Sequence, residues 1–197
     1  MPASERAITA QDLIADADYA RVRKERRAAL LPLKRLRRVS LGPWCTLIFE
    51  SYDTMLFQVQ EMLVTERGGA DQVPDELAAY NPLIPQGREL VATVLFEIED
   101  ADRRARVLGS LGGVDDHFYL GLGDERARAV PEGDIERNRD DGKTSSVHFL
   151  HFPLTDDQAA RFRDPAVTAT IGCDHPGYGH IAMLTPDTRA ELANDLA

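Results

Sequence analysis

The chain has 197 residues, 43% hydrophobic and 28% charged, with a formal net charge of -10 at pH 7. This is ordinary globular composition with enough apolar material for one core, so a single domain is expected over residues 1–197, with residues 1–36 as a helical N-terminal extension packed on it. An acidic surface disfavours nonspecific contact with nucleic acid or anionic lipid, and no apolar run nears the roughly 20 residues of a membrane helix.

The N-terminus lacks the apolar region of a secretory signal, which makes a cytoplasmic protein the expectation. Two cysteines, Cys45 and Cys173, read as buried thiols or ligands in a reducing compartment. Thr9 and Asp12 have the spacing of a capping box and open a weak helical segment through Leu13, Ile14 and Tyr19. Residues 21–31 continue as a basic helix that Pro32 interrupts or ends. Residues 39–41 and 45–49 read as a hairpin turned at Gly42 and Pro43. Asp53 or Thr54 caps the next helix, with Met55, Val59, Met62 and Leu63 on its core face and Gly68 and Gly69 at its end. A short helix over 74–80 leads to an extended loop through Asn81, Pro82 and Pro85. Residues 90–98 alternate as a strand, 100–111 suit a helix, and 117–122 form another strand. The polar stretch 123–143 reads as a long surface excursion. Residues 144–154 are apolar on both faces and so belong at the centre of a sheet. Thr155 and Gln158 form a second capping box, residues 166–173 and 180–184 a second hairpin, and Thr185 with Pro186 launches a C-terminal helix. Helices that separate adjacent strand pairs indicate an α+β fold: a mostly antiparallel sheet with helices packed on it, a basic helix at the N-terminus and another helix at the C-terminus.

No Gly-rich dinucleotide fingerprint, phosphate-binding loop, nucleophile elbow, paired CxxC or helical HExxH occurs, so no nucleotide cofactor is expected and the chain is not assigned as an enzyme. Metal-ligand chemistry concentrates in the second hairpin. A four-residue loop would set His175 opposite His180, with Cys173 and Ala182 on the same face and Asp174 and Ile181 on the other. His175, His180 and Cys173 suit iron or zinc. The fourth ligand is open among Asp174, His148, His117, Glu50 and Glu61. Asp174 and His175 could equally be a hydrogen-bonded turn pair. His148 and His151 lie three apart on a strand and point to opposite faces, so at most one joins a site.

Residues 21–38 carry nine basic side chains against the single acid Glu25. Within it Arg35, Arg37 and Arg38 are candidates for phosphate, carboxylate or an acidic partner surface, and residues 34–38 as a whole for an anion-binding or docking module. A solvated helix face is the plainer reading. The helix from Asp53 is apolar on most sides, so Gln58, Gln60 and Glu61 would be partly desolvated, and Glu61 would pair with Arg37 or Arg38 or serve as a ligand. Glu50, Gln58 and Glu61 are read as buried polar support.

The segments Lys34-Arg35-Leu36-Arg37-Arg38-Val39-Ser40-Leu41-Gly42, Phe49-Glu50, Thr54-Met55, Gln58-Val59-Gln60-Glu61-Met62-Leu63, Tyr80-Asn81-Pro82-Leu83-Ile84-Pro85, Ser146-Val147-His148-Phe149-Leu150 and Asp174-His175-Pro176-x-Tyr178-x-His180 together resemble an uncharacterised bacterial family labelled a domain of unknown function. The resemblance spans nearly the whole chain. It implies a bacterial cytoplasmic protein encoded near rubrerythrin-like and iron-sulfur oxidoreductase genes, hence an iron or peroxide link and a redox protein as partner. In that pattern the Asp-His-Pro-x-Tyr-x-His element recurs and Cys173 does not. The expectation is therefore a metal-binding protein of redox or oxidative-stress metabolism, with the basic segment as the alternative.

Overall fold

The computed structural model describes residues 5–133 and 143–197. Among the described residues nine strands form two sheets in which every strand pair is antiparallel. The first five-stranded sheet has the order β1-β2-β3-β7-β6, from β1 (Arg38–Leu41), β2 (Cys45–Phe49), β3 (Glu89–Phe96), β7 (Val147–Pro153) and β6 (Val130–Pro131). The second has the order β5-β4-β8-β9, from β5 (Glu125–Arg128), β4 (Phe118–Leu122), β8 (Ala169–His175) and β9 (Tyr178–Met183). The α+β expectation holds.

Alternation decides which side chains meet. Leu47, Phe49, Leu90, Ala92, Val94, Leu150 and Phe152 project from the first sheet onto Phe118, Leu120, Ile171 and Cys173 of the second, and this filling is the main core. The other face of the first sheet carries the helical layer: α1 (Asp16–Leu36), α2 (Tyr52–Glu66) and α3 (Val73–Tyr80). Met55, Val59 and Leu63 from α2 pack there with Ile8, Leu83, Ile84 and Val91 as a second apolar cluster. Gln60 is buried within α2 and is satisfied by both backbone groups of Ile14, accepting from its N–H at 3.0 Å and donating to its carbonyl at 2.9 Å. The short helices α4 (Ala101–Gly109), α5 (Asp156–Arg163) and α6 (Pro186–Leu192) complete the fold.

Several boundaries differ from the sequence reading, each for a local reason. Asp12 accepts from both the N–H and hydroxyl of Thr9, as a capping box should, but closes only one 3-10 turn before α1 begins. Pro32 sits inside α1 without ending it: the carbonyl it deprives of a partner belongs to Ala28, which is exposed, so that group is not left unsatisfied in a core. Ser51, not Asp53 or Thr54, caps α2, and Arg67 ends it in the left-handed conformation expected of the following glycines. Part of the supposed surface excursion is β5 and β6; the buried residues there, Ala127 in β5 and Ala129 between the two strands, give too small an apolar signal to read. Residues 134–142 of that stretch lie outside the described residues. Finally, β3 rather than β7 is the central strand, since β7 has only the two-residue β6 on its far side.

Candidate functional site

The second hairpin turns on two residues, Pro176 and Gly177. His175 therefore faces Tyr178, and His180 faces Cys173. Cys173, His175, Tyr178 and His180 do share a face, but the two histidines stand diagonally and engage different neighbours. His175 lies at the chain reversal, with Nδ1 accepting from the Gly177 N–H at 3.0 Å and Nε2 3.3 Å from the Gly112 carbonyl. His180 packs edge to face on the Tyr178 ring at 4.4 Å and against the backbone of Gly42. Cys173 is buried in the core, where desolvation raises its thiol to about 11.

Asp174 points to the opposite face. Arg128 donates to its two oxygens at 2.9 and 2.6 Å, His117 Nδ1 stands 3.1 Å away, and Arg126 reaches it at 3.4 Å. The bidentate hydrogen bonds from Arg128 are the main reason its pKa is held at about 2. Two guanidiniums on one carboxylate make this corner a poor place for a cation. His148 is wholly buried, its Nε2 placed 3.1 Å from the Thr144 hydroxyl and 2.9 Å from the Ser145 carbonyl. Among the described residues, no group of three or more His, Cys, Asp or Glu side chains is placed to hold a metal ion. The predicted ligand set is thus not brought together, because a two-residue turn replaces the four-residue loop.

The basic candidates also separate. Arg37 is 2% exposed and donates to both oxygens of Asp195 at 2.9 and 2.7 Å, to Glu191 at 3.1 Å and to the Glu50 carbonyl at 2.9 Å. Burial opposes its charge, and the hydrogen bonds and charges of Asp195 and Glu191 overcome that and raise its pKa. It is an internal clamp between β1 and the C-terminus, not a surface anion site. Arg38 pairs with Glu97 at 2.6 Å, and Arg35 is exposed. Glu61 pairs with Arg23 at 2.7 Å and accepts from the Tyr19 hydroxyl at 2.7 Å, so its arginine comes from α1 instead of Arg37 or Arg38.

What does converge is a cavity of 250 Å³ between the first sheet and the helical layer. Residues opposite one another on adjacent strands, Ile48, Thr93 and Phe149, form its floor with Val147. Thr54, Met55 and Gln58 of α2 cover it, Lys34 enters from the last turn of α1, and Tyr80 and Leu83 close one side. Glu50, immediately after β2, is 6% exposed and lines this space. The Thr93 hydroxyl donates to Oε1 and the Thr54 hydroxyl to Oε2, both at 2.6 Å, while Thr54 accepts from the Ser51 N–H at 2.8 Å. Desolvation pushes the Glu50 carboxyl above the usual carboxylate range, against the two hydroxyls and the charges of Lys34 and Arg37. Glu50 and Gln58 were legible as desolvated polar groups, whereas Lys34, Thr93 and Tyr80 were not linked to them. The one available clue was Thr93, a hydroxyl amid the apolar outer positions of β3. Every segment that carries the family resemblance, except the second hairpin, contributes a residue to this lining.

A second half-buried charge cluster lies on the same sheet face. His151 Nδ1 stands 2.9 Å from Glu89 and Nε2 2.7 Å from Glu132. The Glu89 hydrogen bond, supported by Glu132 and opposed by burial, raises the imidazole pKa. A raised folded value stabilises the protonated form, so the contribution is complete below the unfolded value of about 6.5 and is lost as pH rises through the folded pKa. The thermal stability advantage of the wild type over His151→Asn should therefore be largest below about pH 6 and shrink at alkaline pH. Melting curves of both proteins across pH check this, and an advantage that grows with pH would contradict it.

Two facing antiparallel sheets with a helical layer over one of them, and a cavity beneath that layer, define an α+β protein. The chain belongs to the family described as protein of unknown function DUF3501, whose model matches residues 7–196. It is also similar to a crystal structure of a novel protein of unknown function from Burkholderia pseudomallei K96243. The two are 38% identical over 97% of this chain and 100% of that one, with a TM-score of 0.89. No curated protein matches the chain. Among the described residues no helix is long and apolar enough to cross a membrane.

Proposed function

We propose that this protein binds a compact organic molecule in the cavity between the first sheet and α2, gripping a hydrogen-bond-donating or cationic head with Glu50. One observation carries the reading: a desolvated carboxyl lines a cavity and is held in place by hydroxyls alone. Thr54 and Thr93 orient the two oxygens but leave lone pairs on each, so an incoming ammonium or hydroxyl completes the hydrogen bonding. Binding a cation would also restore the ionised form that burial disfavours. Apolar walls around a few convergent polar groups are the usual make-up of a small-molecule site. Among the described residues the metal and redox reading has no comparable grouping of donors behind it, and the basic segment reaches the cavity lining through Lys34.

Thermal-shift and calorimetric titration with norleucine and pentylamine test the proposal. Binding of at least one of them is expected, with a gain of about 2.7 kcal/mol in stability at 100 times its Kd. Glu50→Gln, which keeps shape but removes the charge, should abolish it. Titrations in which no response depends on Glu50 would overturn the reading.

A further inference from the structure

The residues that line the cavity around Glu50 include a base, Lys34, as well as that acid. Lys34 lines it from the end of α1, its Nζ 5.2 Å from the centroid of the Phe57 ring. Among the described residues it has no carboxylate within ion-pairing distance, 4.0 Å, and that includes Glu50. The two groups therefore share one space without neutralising each other directly. A plain amine bound at Glu50 would bring a second cation toward Lys34, and a plain carboxylate bound at Lys34 would face Glu50. A molecule with both charges satisfies both poles at once.

Size and lining narrow the choice. The volume of 250 Å³ is below the roughly 300–1,000 Å³ of sites for drug-sized ligands, so the occupant is small. Ile48, Met55, Leu83, Val147 and Phe149 give the rest of the space an apolar wall. The geometry points to a zwitterion with an apolar side group, an α-amino acid, as the ligand: its ammonium donates to Glu50, its carboxylate accepts from Lys34, and its side group lies on the apolar wall. Gln58, an amide on the same lining, is a further hydrogen-bonding group for either end of such a molecule. This rests on the proposal that the Glu50 cavity is a binding site and adds the class of molecule.

A matched set of three probes separates the two claims. Norleucine carries both charged groups, pentylamine is the same chain without the carboxylate, and hexanoate is the same chain without the amine. Isothermal titration should show norleucine binding at least about 10-fold more tightly than either single-charge analogue, since each loses one charge-assisted contact. Lys34→Met should remove that advantage, so that norleucine and pentylamine bind alike, and Glu50→Gln should abolish binding of both. If pentylamine binds as tightly as norleucine, depends on Glu50 and ignores Lys34→Met, the amino-acid assignment is overturned while the binding site stands. If binding of no probe depends on Glu50, both claims fall together.

Discussion

Asp195→Ala is expected to destabilise the fold by about 3–5 kcal/mol, the cost of leaving one member of a buried ion pair without its partner. Arg37 and Asp195 are 2% and 1% exposed, and two parallel hydrogen bonds of 2.9 and 2.7 Å join them. Arginine cannot shed its proton to escape burial. Without Asp195, the guanidinium keeps only Glu191 and the Glu50 carbonyl, so much of its charge goes uncompensated. The same clamp ties the C-terminal turn Ala193–Asp195 to the start of β1, so local fraying should accompany the loss. Urea unfolding monitored by far-ultraviolet circular dichroism measures the difference. The double variant Arg37→Met, Asp195→Leu should recover most of the stability, because an apolar pair leaves no charge in the core. A loss below about 1 kcal/mol for Asp195→Ala would mean that the pair is not desolvated as described.

Tyr178→Phe is expected to cost about 2–4 kcal/mol, although it removes a single oxygen. The Tyr178 hydroxyl donates to the Leu41 carbonyl at 2.7 Å and accepts from the N–H groups of Trp44 and Cys45 at 3.1 and 3.0 Å. Those three groups flank the β1–β2 turn, and Tyr178 is 2% exposed, so phenylalanine would strand backbone donors and an acceptor out of reach of water. The ring itself, packed against Trp44, Phe96 and His180, is retained, which isolates the hydroxyl. Chemical denaturation is the measurement here too, and a variant within 0.5 kcal/mol of wild type, roughly the scatter of surface substitutions, would contradict the role.

Much of the architecture was legible because it depends on near-neighbour patterns. Capping residues at Thr155 and Thr185, the alternation in β3 and at the end of β8, and the apolar run that marks β7 involve side chains within a few positions of one another. In the second hairpin the sequence reading placed the loop two residues too long, yet it assigned Cys173, His175 and His180 to one face correctly. A register error of two leaves the faces unchanged, whereas an error of one would have inverted them. What it could not supply was the direction in which each ring then turns, which is set by Gly112, Gly42 and Tyr178. The partners of Arg37 lie 154 and 158 positions away, and the donors to Glu50 come from α2 and β3. Spacing along the chain carries no information about such meetings. Gln58 and Glu50 could be recognised as polar residues in apolar company, but the cavity that unites them exists only once α2 lies across β2, β3 and β7.

Ligand binding in the cavity turns on the state of one carboxyl group, that of Glu50. Carbon-detected NMR of the Glu50 side chain across a pH titration reads it without assuming any ligand. The expected result is a midpoint above the ordinary glutamate value in the ligand-free protein, moving downward when norleucine is added. A midpoint at or below the ordinary value that does not respond to norleucine would contradict it.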